Sequence, residues 1–372
     1  MTGEVLEAFR QAAGESVPLE QLQAVACRQI AAATGTEAGL VTSGAAAALT
    51  LGAAAILARL DLGRMERLPR CDGFPDEFVV AREQRNGYDH AVRAAGVRLI
   101  EVGCNELVAG SGVRRTEAWE YEAAFGPHTA GVLYVLTDGA QPALADVVNM
   151  AHKHHLPVLV DAAGELPPRA NLKAIAATGA DLVAFSGGKA IRGPQATGIL
   201  CGRRELIASA ALQMLDMDDH LELWDPPPEL IDRTKLPGMP RHGIGRGFKV
   251  AKEQIAALLV ALRAFADGKY DALLPGYERN LHDIIAVLKD RPVRCRLHAS
   301  DGERLPLLEI VVDEQRLGRT ALEVCRRLRS GSPSCYVGHA GLAQGVLTIN
   351  PLHLDDKRTA ELARRLREEL AP

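Results

Sequence analysis

Asp181-Leu-Val-Ala-Phe185-Ser186-Gly187-Gly188-Lys189 is the stretch on which the fold turns. A short apolar run closes on a turn of small residues and then delivers a lysine, the pattern of a buried strand that presents a charged side chain at its carboxyl end. Desolvation at such a place disfavours the ammonium form and frees an amine able to attack a carbonyl carbon. Two adjacent glycines let the backbone approach a flat ligand closely, and Ser186 can donate a hydrogen bond to an anion. An ordinary surface lysine after a strand has the same local pattern, so the neighbouring segments must decide.

Upstream, Leu156-Pro-Val158-Leu-Val160-Asp161-Ala162-Ala163 ends another apolar strand on a carboxylate. Charge there is costly unless a cation lies nearby. A pyridinium nitrogen is such a cation; an N-cap aspartate at a strand-to-loop junction is the plain alternative. Further upstream, Ala38-Gly39-Leu40-Val41, then Thr42-Ser43-Gly44, then an alanine-rich helix from Ala45 to Leu60 read as strand, turn and helix. Free backbone N–H groups and the positive end of that helix suit a phosphate. The turn is neither G-x-x-x-x-G-K-[ST] nor G-x-G-x-x-G, which disfavours nucleotide binding. In chain order the sequence thus offers an anion cradle, a strand-end aspartate and a strand-end lysine.

The same alternation fills the middle of the chain. Strands are predicted at Phe78–Val80, Arg98–Val102, Gly131–Leu136, Val158–Val160 and Asp181–Phe185, with helices at Leu19–Ala33, Tyr88–Ala95, Thr116–Phe125 and Ala143–His154. Such alternation argues for an α/β fold with a mostly parallel sheet covered on both faces, whose ligands sit at the carboxyl ends of the strands. From Leu223 to Arg246 the chain turns rich in Pro, Gly and charge, and reads as an extended crossing segment; a long helix, Val250–Ala266, follows. Strands at Arg294–His298, Leu305–Val312 and Gly345–Ile349, mixed with helices at Thr320–Arg329 and Asp356–Leu370, predict a smaller C-terminal α/β domain. The expected division is an N-terminal arm (1–18), a large domain (19–249, with the crossing segment at 223–249), and a linking helix with the small domain (250–372).

At 372 residues the chain exceeds what one core usually serves, and 47% apolar with 24% charged residues is the balance of a globular protein. The seven cysteines are scattered without a C-x-x-C pair, so neither a disulfide framework nor a zinc site is expected. A formal charge of −4 with interleaved signs gives no basic stripe for nucleic acid. The alanine-rich runs are too short to span a bilayer and the start lacks a basic signal region, so a cytoplasmic location is expected. His152-Lys153-His154-His155 at a helix end is read as interacting with the helix dipole and solvent rather than with a metal.

Val41-Thr-Ser-Gly-Ala-Ala-Ala-Ala48, Val158-Leu-Val-Asp-Ala-Ala-Gly-Glu-Leu-Pro-Pro168, Phe185-Ser-Gly-Gly-Lys-Ala-Ile-Arg-Gly-Pro-Gln-Ala196 and Gly243-Ile-Gly-Arg-Gly-Phe-Lys-Val-Ala-Lys-Glu253 together resemble the selenocysteine-synthase-like branch of fold type I pyridoxal-5'-phosphate (PLP) enzymes, which includes D-glucosaminate-6-phosphate ammonia lyase. The resemblance covers most of the chain and implies an aspartate-aminotransferase-like fold. It implies that Lys189 is the Schiff-base lysine, Asp161 the partner of the pyridine nitrogen, and Ala163 a packing residue on one ring face. Ser43, Gly44, Ala45 and Ser186 would hold the phosphate. Gly193, Pro194 and Gln195 would shape the loop after the lysine, and in a homodimer Arg192 and Gln195 would serve the neighbour's cofactor.

Two departures matter. Selenocysteine synthases carry an acidic residue before the lysine and a longer N-terminal region for tRNA; here Gly188 and a short lead-in stand instead. Where relatives place a ring-stacking histidine, this chain has Gln84 or Arg85, with Tyr88 and His90 as loose alternatives. Arg85, His242 and Arg246 are the expected substrate-binding residues; arginines can hold a carboxylate or phosphate in bidentate fashion or simply pair with surface acids. The expected activity is a lyase releasing ammonia from a polar β-hydroxy amino acid or a phosphorylated amino sugar acid by α-proton abstraction and β-elimination. Racemisation or aldol cleavage is the alternative, with selenium transfer to seryl-tRNA behind them.

Overall fold

The computed structural model describes residues 1–104, 115–301 and 304–372. They form two compact units, Met1–Asp267 and Gly268–Pro372.

The first unit is built on a seven-stranded sheet: β1 (Ala38–Thr42), β2 (Glu77–Ala81), β3 (Arg98–Val102), β4 (Thr129–Val135), β5 (Val158–Asp161), β6 (Leu182–Ser186) and β7 (Gly198–Gly202), in the order β1-β7-β6-β5-β4-β2-β3. β2 to β6 are mutually parallel. β7 alone runs against its neighbours, antiparallel to both β6 and β1. The carboxyl ends of all the strands except β7 therefore share one edge of the sheet. β7 was absent from the sequence reading, because Gly198-Ile-Leu-Cys-Gly202 has three apolar residues between two glycines and no alternation.

The central strands are continuous apolar runs because helices cover both faces. Helix Ala45–Ala58 is buried from Ala47 to Ala58, which explains a stretch apolar on every side, with no amphipathic stripe. Helix Leu19–Thr34 ends at Gly35, whose φ of +74° is a left-handed cap. Its Gln23 lies across the edge of β1: Val41 N–H donates to Gln23 Oε1 at 3.0 Å and Gln23 Nε2 donates to Val41 O at 2.9 Å. A side-chain amide thus completes the ladder of an edge strand that would otherwise offer bare backbone groups. The first residues, expected as an arm, contain a helix, Gly3–Ala13, that packs on helix Lys252–Ala266 within this unit. The crossing segment is not simply extended: Trp224, Leu230 and Ile231 are buried, and Arg233–Lys235 and Ile244–Phe248 form short 3-10 turns.

The second unit has its own antiparallel sheet, β8 (Val293–His298), β9 (Leu307–Val312) and β10 (Val346–Ile349), ordered β10-β9-β8. Alternating burial on β9 and β10 turns one face towards helices Leu274–Val287, Ala321–Ser330 and Asp356–Glu369, giving a separate core around Leu308, Ile310, Val324, Leu347 and Leu366. No described helix is long and apolar enough to cross a membrane.

Candidate active site

Four strand ends of the first unit converge. At the end of β1, Gly44 adopts φ +106° and starts helix Ala45–Ala58 with no side chain capping its first N–H groups. Only glycine holds that backbone without strain, and the N–H groups so exposed point outward at the positive helix end. Thr42 Oγ1 donates to Gly44 O at 2.9 Å and fixes the turn. A Cβ on Gly44 would meet nothing, so open space lies beside it; a Cβ on Gly198 would lie 2.3 Å from the Gly44 carbonyl carbon. The reversed strand β7 thus brings its first residue directly under the cradle.

At the end of β5, Asp161 is 8% exposed. Ala163 N–H donates to its Oδ1 at 3.0 Å, as in the plain N-cap alternative. The carboxyl is nevertheless pushed above its ordinary value, first by burial and also by the negative charge of Asp89, against the opposing pull of the Ala163 N–H and the Lys189 ammonium. Lys189 and Asp161 are therefore electrostatic neighbours, as the two strand ends require.

Beyond β6, Gly187 N–H donates to Thr197 O, Gly193 N–H to Gly187 O and Arg192 N–H to Lys189 O, each at 2.9 Å. These bonds fold residues 187–197 into a tight loop back to β7. The glycines serve the chain's own packing: a Cβ on Gly188 would lie 2.6 Å from Gln195 O, and one on Gly187 would lie 2.4 Å from Thr197 Oγ1. Lys189 and Gln195 are exposed and Ser186 partly so. The desolvation of Lys189 expected from its sequence position is thus not supplied by its own chain.

The remaining expected residues are placed as follows. Arg85 is held between Asp89 and Glu101, so its charge is already matched by carboxylates. His242 Nε2 lies 3.0 Å from Asp216 Oδ1, and Arg246 donates to Asp216 Oδ2 at 2.7 Å. Hydrogen bonding from His242, with the Arg246 charge, holds the Asp216 carboxyl down at about 2. No described contact joins this exposed trio to Asp161 or Lys189. His152 and His154 bind Asp181 and Glu122, each at 2.8 Å.

Gln84 does not stand free at the site: its Oε1 accepts from Val135 N–H at 3.1 Å and its Nε2 donates to Gln141 O at 3.5 Å, joining the ends of β2 and β4. Tyr88 is exposed. Neither Gln84 as a strand-end clamp nor Asp89 as a buried charge was foreseen. The Arg85-to-Asp89 spacing of one helical turn was the available signal, and it reads as an ordinary surface pair.

Residues 89–217 match the family model "SelA: L-seryl-tRNA selenium transferase". The chain is 30% identical to a 5'-C-glycyluridine monooxygenase-decarboxylase of Streptomyces sp over 98% of its length and 85% of the relative's. It belongs to the SelA-like family of fold type I PLP enzymes. Another SelA-like relative, D-glucosaminate-6-phosphate ammonia lyase of Salmonella typhimurium, is 27% identical over 98% of this chain and 90% of its own. A solved structure titled D-glucosaminate-6-phosphate ammonia-lyase superposes with a TM-score of 0.77 at 26% identity, covering 100% of this chain and 91% of that one. At 13% identity and a TM-score of 0.55, Sphingomonas wittichii serine palmitoyltransferase shares the aminotransferase-like fold alone.

The SelA-like chain is an enzyme whose cofactor is pyridoxal phosphate. The donor set fits that group: an uncapped helix start with open space beside its glycine for the phosphate, a buried carboxylate for a ring cation, and a lysine at the next strand end within its field.

Proposed function

We propose that this enzyme is a PLP-dependent lyase that releases ammonia from a polar β-hydroxy amino acid or a phosphorylated amino sugar acid. The observation that carries the reading is the near-full-length similarity to D-glucosaminate-6-phosphate ammonia lyase in sequence and in fold. In this reading Lys189 and Asp161 are the catalytic pair, Ser43, Gly44, Ala45 and Ser186 hold the phosphate, and Ala163 packs on the ring. The cofactor, when bound, supplies the electron sink that acidifies the substrate's α-carbon.

Lys189 Nζ would hold the cofactor and would accept the substrate's α-proton. Asp161 would pair with the protonated ring nitrogen. The β-hydroxyl departs with a proton as water, and hydrolysis of the product gives a 2-keto acid and ammonia. Gln84 keeps the ends of β2 and β4 at fixed spacing beside Asp161's ladder partner, Val135. The exposure of Lys189 and Gln195 supports a homodimer in which Arg192 and Gln195 of a second copy close the site.

Purified enzyme offered β-hydroxy amino acids and amino sugar acids, D-glucosaminate-6-phosphate among them, should release ammonia and keto acid in equal amounts. Lys189→Ala should lose both the visible absorbance of bound cofactor and at least about 10³-fold in kcat. Exchange of the α-proton without keto acid would instead assign a racemase. The Streptomyces relative favours a second reading, oxygen-dependent decarboxylation, which would appear as oxygen uptake with carbon dioxide release.

A further inference from the structure

Asp89 opens the helix Asp89–Ala94 and is 4% exposed, yet the segment it follows leads directly from the carboxyl end of β2. Arg85 binds its Oδ2, while Oδ1 is buried with no hydrogen-bond partner. A buried carboxylate oxygen left bare costs about 1–3 kcal/mol, so its retention calls for a role. Two contacts tie its helix and the turn before it to the elements that carry the site. Thr50 Oγ1 donates to Ala91 O at 2.8 Å, docking this helix on the helix whose first turn is the anion cradle. Gln84, in the turn just before Arg85, binds Val135, the residue facing Asp161 across the β4–β5 ladder. The Asp89 charge adds, after burial, to the upward push on the Asp161 carboxyl.

We infer that Asp89 is a positioning residue for charge: a second, fixed negative centre beside Asp161 that strengthens the site's hold on a protonated ring nitrogen, with Arg85 setting how much of that charge is felt. The inference rests on Asp161 being the partner of that nitrogen. Among the described residues, the charged groups tied to the pair are Lys189 after β6, Arg85 after β2, and Glu101 on β3, which Arg85 shares with Arg82. Asp89 thus acts through the field at Asp161 and touches no reacting atom.

The geometry makes a prediction in which two substitutions in one ion pair move a titration in opposite directions. The readout is the visible absorbance of the cofactor bound on Lys189 in the full-length holoenzyme, titrated against pH. Asp89→Asn removes a negative charge and should lower the midpoint by about 0.5–1 pH unit; Arg85→Gln unmasks that charge and should raise it by a similar amount. Cofactor affinity of the stripped protein should fall for Asp89→Asn and hold or rise for Arg85→Gln. A purely structural ion pair would instead move both variants the same way or leave the midpoint still, and either result overturns the inference. Arg85 is partly exposed, so Arg85→Gln still decides the matter if Asp89→Asn fails to fold. Asp161→Asn separates the two readings: if it leaves the midpoint unchanged, the assignment of Asp161 is wrong. If it shifts the midpoint while Asp89→Asn and Arg85→Gln do not, only the role of Asp89 is.

Discussion

In its proposed role, Asp161 carries the conflict between function and stability in one side chain. Burial raises its carboxyl above the ordinary 3.8, so the folded chain binds that proton more tightly than the unfolded chain does. Stability therefore falls as pH rises through the range between the ordinary value and the raised one, and above that range the carboxyl is a net cost to the cofactor-free protein. Asp161→Asn should raise the melting temperature of that protein above that range, a gain that disappears below the ordinary carboxylate range. It should weaken cofactor binding at the same time. Calorimetry of the stripped protein across pH checks the sign. Asp161 and Lys189 were legible as strand-end charges because each follows an apolar run. Asp89 was not, because its burial comes from a neighbouring helix distant in sequence. The glycines before Lys189 also make room for Gln195 and Thr197, contacts that a local reading does not contain.

Among the elements, the central parallel strands announced themselves by short apolar runs, such as Val132–Val135 in β4 and Val158–Val160 in β5. β7 did not, and with it went the one reversal in the sheet. Its direction depends on the tight loop 187–197, held by backbone hydrogen bonds whose partners lie up to ten residues apart. Gln84 and Gln23 make the same point from side chains: each amide stands in for a missing strand neighbour, and neither residue type signals this in sequence. Gln84→Ala should leave Val135 N–H buried without an acceptor and cost about 1–3 kcal/mol, read as a lower urea midpoint together with faster amide exchange at Val135.

For the whole molecule, length and alternation were enough to predict a large α/β unit followed by a smaller one. The long helix after the crossing segment packs on helices Gly3–Ala13 and Leu19–Thr34, so it is part of the first compact unit. The second unit has its own sheet and core, and residues 268–372 expressed alone should unfold cooperatively in urea with a stability of about 5–10 kcal/mol; a non-cooperative loss of circular dichroism would deny it an independent core. The reversal of β7 also bears on how such a protein can diversify. Because Gly198 is wedged beneath Gly44, the chain from the lysine to β7 has a fixed length and no spare volume. Insertions or grafted loops between 189 and 198 would dislodge the turn proposed to receive the anion. Gly139, in the turn after β4, has no such wedge: a Cβ there would meet nothing. New substrate ranges, whether selected in nature or sought in a mutagenic library, should arise on turns of that kind, while the reversed strand keeps its seat beneath Gly44.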